Sequence, residues 1–148
     1  MKILQNKHLR AFNALYKEWM HYSHEQCSMA GLSDSAFDIL YVMSEFEDGC
    51  SQKTIVEHSW LSKQTVNSSI KSLEKKGWLK VEKNGGRKTR IYLLDEGKKI
   101  VDQYILPCIE HENHIFELMG EEDADQLLDL TQRYVQLLKR KEESVYEN

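Results

Sequence analysis

Ser62–Gly97, SKQTVNSSIKSLEKKGWLKVEKNGGRKTRIYLLDEG, is the stretch whose reading decides the fold. Ser62 offers a hydroxyl to a backbone N–H of a first helical turn, and Gly77 supplies the left-handed residue that closes a helix. Between these marks Val66, Ile70 and Leu73 recur at helical spacing and must face a core, which leaves Gln64, Asn67, Ser68 and Lys71 on other faces. Trp78 to Lys83 then alternates loosely toward a strand. Asn84-Gly85-Gly86 is a hairpin signal, because glycine tolerates positive φ, and Arg87 to Leu94 reads as the returning strand. A helix followed by such a hairpin is a winged helix. Upstream, Ser51 caps a short helix through about His58, close enough to form helix-turn-helix with the Ser62 helix and to brace it.

Charge is concentrated in the same block. From Trp60 to Tyr92 nine basic residues, Lys88 and Arg90 among them, stand against two acidic ones, an excess of +7. The chain carries −4 overall, so the remainder carries −11. Charges beyond a Debye length are largely screened, so a polyanion would meet this patch in one orientation despite the acidic total. Amides can pair with adenine edges, hydroxyls with any base, and lysines with phosphate or guanine, so the exposed set suits the major groove of double-stranded DNA. The alternative is a winged helix used for protein contact, its basic face meeting an acidic partner.

Working outward, 41% hydrophobic content over 148 residues can fill one core, or one core plus a dimer interface, without disulfides or metal. One proline and seven glycines favour long helices over a many-turned β architecture. The longest apolar run is Ile39 to Met43, and no basic segment leads into a hydrophobic stretch at the N-terminus. The expectation is therefore a cytoplasmic protein with neither signal peptide nor membrane span. Cys27, Cys50 and Cys108 are an odd set without a close pair, which fits reduced thiols. Paired carboxylates, a nucleophile with its base and a phosphate-binding glycine loop are all missing at usable spacing, so an enzyme is not expected.

Leu9, Phe12, Tyr16, Trp19 and Met20 follow a helical stripe within a long helix from Asn6 to about Met29. Ser33 caps a second helix that buries Phe37, Leu40, Tyr41 and Val42 and is expected to end near Asp48-Gly49. Asp95 is the expected cap of a fifth helix toward Met119, kinked at Pro107. After Gly120 a last helix begins acidic and ends basic, matching the helix dipole, with a stripe of Ala124, Leu127, Leu128, Thr131, Tyr134, Val135 and Leu138. The fold class is thus mainly α with a small β-hairpin. A winged helix-turn-helix lobe (33–97) is flanked by a helical dimerisation region (1–32 and 98–148). The terminal helices are longer and more apolar than the central lobe needs, so a second copy is their natural partner. A twofold homodimer sets two recognition helices about 34 to 36 Å apart, one DNA turn, and calls for a pseudo-palindromic operator.

LSDSAFDIL (32–40), SKQTVNSSIKSLEKKGWL (62–79), Arg87 within the hairpin and LLDEGKKI (93–100) together resemble the MarR (multiple antibiotic resistance regulator) family of winged-helix transcription factors, in element order along nearly the whole chain. The resemblance implies a triangular homodimer joined through its N- and C-terminal helices. It places Lys63, Gln64, Thr65, Asn67, Ser68 and Lys71 on the groove-facing recognition helix, behind the Ser62 cap, and Arg87 where the family's wing arginine enters the minor groove. Two positions depart from the family pattern. The wing commonly reads Asp-x-Arg, whereas this chain has Gly85-Gly86-Arg87, and the usual Leu-Thr after the wing is Leu93-Leu94. A repressor relieved by a ligand or metal is the implied function, with no required cofactor.

Two effector classes follow. Family members often hold a small molecule in a cleft between dimer helices and DNA-binding lobe, and Tyr16, Trp19, Tyr22, Phe37 and Tyr41 are the candidates to line one; aromatic residues at this spacing also pack as core. His24/Cys27 and His111/His114 are i, i+3 pairs, each on one helix face, so two helices meeting could offer zinc a tetrahedral nitrogen and sulfur set. The placement resembles that in zinc-sensing relatives, which draw ligands from the first, second and fifth helices, with Asp38 of the second standing here where a histidine is expected. Solvent-facing histidines are the plainer alternative.

Overall fold

The computed structural model describes residues 3–84 and 88–140. Its elements are α1 (Lys7–Met29), α2 (Asp34–Met43), α3 (Gln52–Ser59), α4 (Lys63–Lys75), β1 (Leu79–Asn84), β2 (Lys88–Leu93), α5 (Asp95–Ile100), a π-helical turn (Val101–Ile105), α6 (Leu106–Met119) and α7 (Glu121–Lys139). They form two compact units, one through Cys108 and the other from Ile109 onward.

Each of the three expected serine caps is in place. The hydroxyl oxygens of Ser33, Ser51 and Ser62 accept from the backbone N–H of Ala36, Thr54 and Thr65 at 3.2, 3.0 and 3.0 Å, satisfying donors that a helix start leaves unpaired. α2 ends earlier than expected, at Met43. Ser44 Oγ donates to the Tyr41 carbonyl at 2.7 Å, and residues 44–49 turn instead of continuing the helix, closing on Gly49 at φ +76. That turn has a purpose in the packing. It delivers Cys50 to the wing, where its N–H donates to the Ile91 carbonyl at 3.0 Å and its carbonyl accepts from the Ile91 N–H at 2.8 Å.

In the first unit the core gathers Ile39, Leu40 and Met43 from α2, Ile55 from α3, Val66, Ile70 and Leu73 from α4, Leu79 and Ile91 from the hairpin, and Val101 and Ile105 beyond it. α4 packs on α2, α3 and β1. Gly77, at φ +75, turns the chain out of α4, and the Trp78 N–H returns to the Leu73 carbonyl at 3.1 Å. β1 and β2 pair antiparallel from Leu79 opposite Leu93 to Asn84 opposite Lys88.

The fifth helix is capped differently from expectation. Leu94 holds the N-cap position without a side-chain bond, and Asp95 lies in the first turn, where its charge suits the dipole. A π-helical turn lies immediately before α6, whose second residue is Pro107, the residue that has no N–H to give. In the second unit, α7 begins with Glu121, Glu122 and Asp123 and ends with Lys139. Its apolar residues Leu127, Leu128, Leu130, Tyr134, Val135, Leu137 and Leu138 are all exposed in the single chain.

Gly97 fixes the seat of α5. A β-carbon there would stand 2.2 Å from the Trp78 carbonyl oxygen, while the Leu94 N–H donates to that same oxygen at 2.9 Å. Only a residue without a side chain lets α5 approach the root of the wing this closely. Gly97→Ala is expected to destabilise the fold by about 3 kcal/mol in urea melts, since a backbone atom cannot give way as a flexible side chain can; a wild-type midpoint would show that α5 shifts freely from this seat.

Candidate nucleic-acid interface

α4 carries the candidate surface. With Val66, Ile70 and Leu73 buried, Lys63, Gln64, Asn67, Ser68 and Lys71 are all exposed. At ~100° per residue these five span about 140° of the helix circumference, one contiguous polar and basic face. Ser62 is exposed but is spent on the cap. Its Oγ also lies 2.7 Å from Thr65 Oγ1, so the half-buried Thr65 belongs to the same capping pair and presents less to a ligand than its neighbours do. On the α2 side, Ser69 Oγ meets Ser35 Oγ at 2.8 Å, a polar tie that fixes the rotation of α4 about its axis.

The wing divides the remaining candidates. Arg87, with Gly85 and Gly86, lies outside the described residues. Lys88 opens β2 opposite Asn84. Arg90 is exposed, yet its Nη2 donates to the Gly49 carbonyl at 3.1 Å, so its charge also staples the wing to the α2–α3 turn. Three further lysines sit on or against aromatic or acidic partners. Lys76 Nζ lies 4.7 Å from the Trp78 ring centroid, Lys80 pairs with Glu82 and stands 5.6 Å from the Tyr92 ring, and Lys53 reaches Glu57 at 3.6 Å. The Glu82 carboxylate beside Lys80 raises that ammonium's pKa above its ordinary value. Lys80 therefore stays cationic beside Glu82 on the hairpin.

The aromatic set expected to line an effector cleft is not gathered on one surface. Tyr16, Trp19 and Tyr22 lie exposed on α1, Phe37 is buried in the core, and Tyr41 is half-buried on α2. A cavity that sequence reasoning missed, of about 530 Å³, is lined instead by Met43, Ser44, Glu47, Asp48, Leu93 and Lys98, with Val101, Asp102 and Leu106. No periodicity marks it, because its walls come from a turn, a strand end and the π-helical turn.

The metal candidates are engaged elsewhere. His24 Nδ1 lies 2.8 Å from Asp34 Oδ1, joining the end of α1 to the start of α2, and His114 Nδ1 lies 3.1 Å from Glu117 Oε2 on its own helix. Cys27 is buried, and burial first, with the charges of Asp34 and Asp38, pushes its thiol up to about 12. Burial and the neighbouring Asp34 likewise raise the Asp38 carboxyl. His111 is on α6, in the second unit. Among the described residues no three His, Cys, Asp or Glu side chains are gathered in a set that could hold a metal ion. Cys50 is buried too, and desolvation raises its thiol against the lowering effect of Arg90.

These shifts set the order of thiol reactivity. Only the thiolate attacks an alkylating agent, so Cys27 and Cys50 are expected to resist iodoacetamide at about pH 8 in the native protein while the half-exposed Cys108 is modified first. Peptide mass mapping reads the order directly, and native labelling of Cys27 ahead of Cys108 would contradict the burial.

Residues 30–88 match the model of the MarR family. Among curated proteins none matches in sequence. Solved structures do. NMB1585, a MarR family regulator from Neisseria meningitidis, superposes with a TM-score of 0.75 at 20% identity, over 90% of this chain and 95% of that one. S. aureus MepR in complex with DNA gives 0.72 at 17% identity, over 91% and 100%. NadR in complex with 4-hydroxyphenylacetate gives 0.65 at 17% identity, over 95% and 99%. The family model is seated on the helix-turn-helix and the first strand of the wing, and the chain as a whole shares the winged-helix fold of these MarR family structures through the flanking helices.

Proposed function

We propose that this protein is a homodimeric, sequence-specific DNA-binding transcriptional regulator, a repressor released from a pseudo-palindromic operator by a small-molecule effector. The observation that carries the reading is the exposed face of α4: Lys63, Gln64, Asn67, Ser68 and Lys71 stand together over a buried apolar stripe, at the start of a capped helix that α3 braces. Short amide, hydroxyl and ammonium groups on one helical face are what base edges and phosphates in a major groove require. The structure of MepR on DNA supports the same use of this fold.

The homodimer rests on exposed apolar surface. In the single chain α1 leaves Leu9, Phe12, Leu15, Tyr16, Trp19 and Met20 in solvent, and α7 leaves its whole leucine stripe there. Apolar area on this scale calls for a partner. A second copy meets it with the same faces and sets the recognition helices for two half-sites. Effector action then follows from geometry: a ligand that favours one separation of the recognition helices shifts the population toward or away from the state that matches the operator. NadR, seen with 4-hydroxyphenylacetate, supports a small aromatic acid as the effector class.

Lys71→Ala tests the DNA face. The variant is expected to bind a duplex selected by the wild-type protein more weakly, with the salt slope of log K reduced by about one and with helical content unchanged, because one phosphate contact is removed from an exposed position. Wild-type affinity and slope would sink the assignment of α4, and equal wild-type binding to every duplex would favour a module without sequence preference.

A second test addresses the dimer. Replacing Leu128 and Leu138 together by Asp is expected to shift the protein from dimer to monomer in sedimentation equilibrium, since each desolvated carboxylate opposes an apolar contact. An unchanged dimer mass at micromolar concentration would exclude the α7 stripe from the interface.

A further inference from the structure

The cavity of about 530 Å³ beside α5 has a lining of two kinds. Met43 and Val101 are buried, and with Leu93 and Leu106 they make part of it apolar. The rest is charged. Glu47 and Asp48 come from the turn after α2, Lys98 from α5 and Asp102 from the π-helical turn, and all four are exposed. Three carboxylates against one ammonium give this lining a net charge of −2. It is opposite in sign to the basic block of the helix-turn-helix and wing.

None of these charges is used by the fold. Among the described residues no ion pair or side-chain hydrogen bond engages Glu47, Asp48, Lys98 or Asp102, whereas the adjacent Lys99 is held by Glu96. Ser44, the uncharged polar member of the lining, already gives its hydroxyl to the Tyr41 carbonyl. The carboxylates therefore keep their full capacity to accept hydrogen bonds. The elements that carry them are fixed in place. The turn is tied at Gly49 and Cys50 to Arg90 and Ile91 of the wing, and α5 is seated on the Trp78 carbonyl at Gly97. Walls held in this way before a ligand arrives lower the ordering cost of binding.

The lining selects among occupants. An anion, whether phosphate or aromatic acid, meets a net negative rim. A bare metal ion asks for converging donors, and the described residues hold no such set. A cleft whose charges are mainly of one sign, set on low-dielectric walls, concentrates the opposite charge, and an apolar surface beside it asks for a hydrocarbon body on the same molecule. We propose that this cavity is a binding site for a small organic cation: its ammonium is held among Glu47, Asp48 and Asp102, and its apolar body lies on Met43, Leu93, Val101 and Leu106. The site differs in charge from one for the aromatic acid considered above, and the inference goes beyond the DNA-binding reading without resting on it.

The test uses the full-length protein and three probes of one shape and different charge: 2-(1-naphthyl)ethylamine, 2-(1-naphthyl)ethanol and 1-naphthylacetate. Isothermal titration calorimetry at low salt is expected to give the amine a dissociation constant of roughly 1 mM or tighter. The alcohol should bind more weakly and the acid more weakly still. The amine should also raise the thermal midpoint, and added salt should weaken its binding. E47Q combined with D102N, which keeps both shapes and removes two charges, should weaken the amine about fivefold and leave the alcohol unchanged; each single substitution carries the test if the pair fails to fold. K98M, which removes the one like charge, should tighten the amine. Absence of amine binding overturns the proposal, as does acid binding equal to that of the amine. Wild-type amine affinity in the folded carboxylate variants overturns it too, because the amine would then sit elsewhere.

Discussion

The burial of Val66, Ile70 and Leu73 beneath α4 is the constraint on which the rest of the structure depends. Three side chains at this spacing fix the rotation of the helix, and fixing it decides which residues face outward. The Ser35–Ser69 contact adds a polar tie on the α2 side, where a slip of one residue would separate the two hydroxyls. Each buried aliphatic residue is worth about 1.5–3 kcal/mol on transfer from water, so the stripe outweighs any preference of the exposed lysines and amides for a different orientation. The exposed polar set proposed to face DNA is thus held in place by residues buried beneath it.

The wing is held by backbone contacts as much as by side chains. Cys50 adds a bridge to Ile91, Arg90 reaches the Gly49 carbonyl, and the Leu94 N–H meets the Trp78 carbonyl over Gly97. Two of these three join residues more than forty apart in sequence, which explains why they could not be read from it. Arg90 illustrates the consequence. As one of nine basic residues in the block it looked like a DNA contact, and the fold has given its guanidinium a structural partner as well.

Local chemistry was legible wherever one residue's hydroxyl or missing side chain acts within a few positions. The caps at Ser33, Ser51 and Ser62, the stop at Gly77 and the strand alternation followed directly, because each depends on neighbours within a turn. The end of α2 did not. Its apolar pattern runs to Met43, and the residues that stop it act through a turn whose value lies in bringing Cys50 to β2. Asp95 looked like a cap by residue type, yet the Leu94 backbone takes the position, and the acid serves the dipole one residue later. The aromatic candidates are divided in the single chain, because helical spacing brings residues to one face of one helix, whereas a cleft needs faces of several; Phe37 went to the core while Trp19 stayed outside.

The same distinction governs how an effector would act in the proposed mechanism. α5 is pressed against the root of the wing at Gly97, with no side chain between helix and strand to absorb a displacement, and α5 continues through the π-helical turn toward α6. A movement of α5 would press on Trp78 and the start of β1, and Trp78 follows α4 by three residues through the turn at Gly77. Wing and recognition helix are thus packed on one support. Close packing makes such a support bistable more readily than compliant, so a ligand acts by choosing between placements of the whole lobe. In the proposed mechanism the leverage of an effector would be limited to its difference in affinity for those placements.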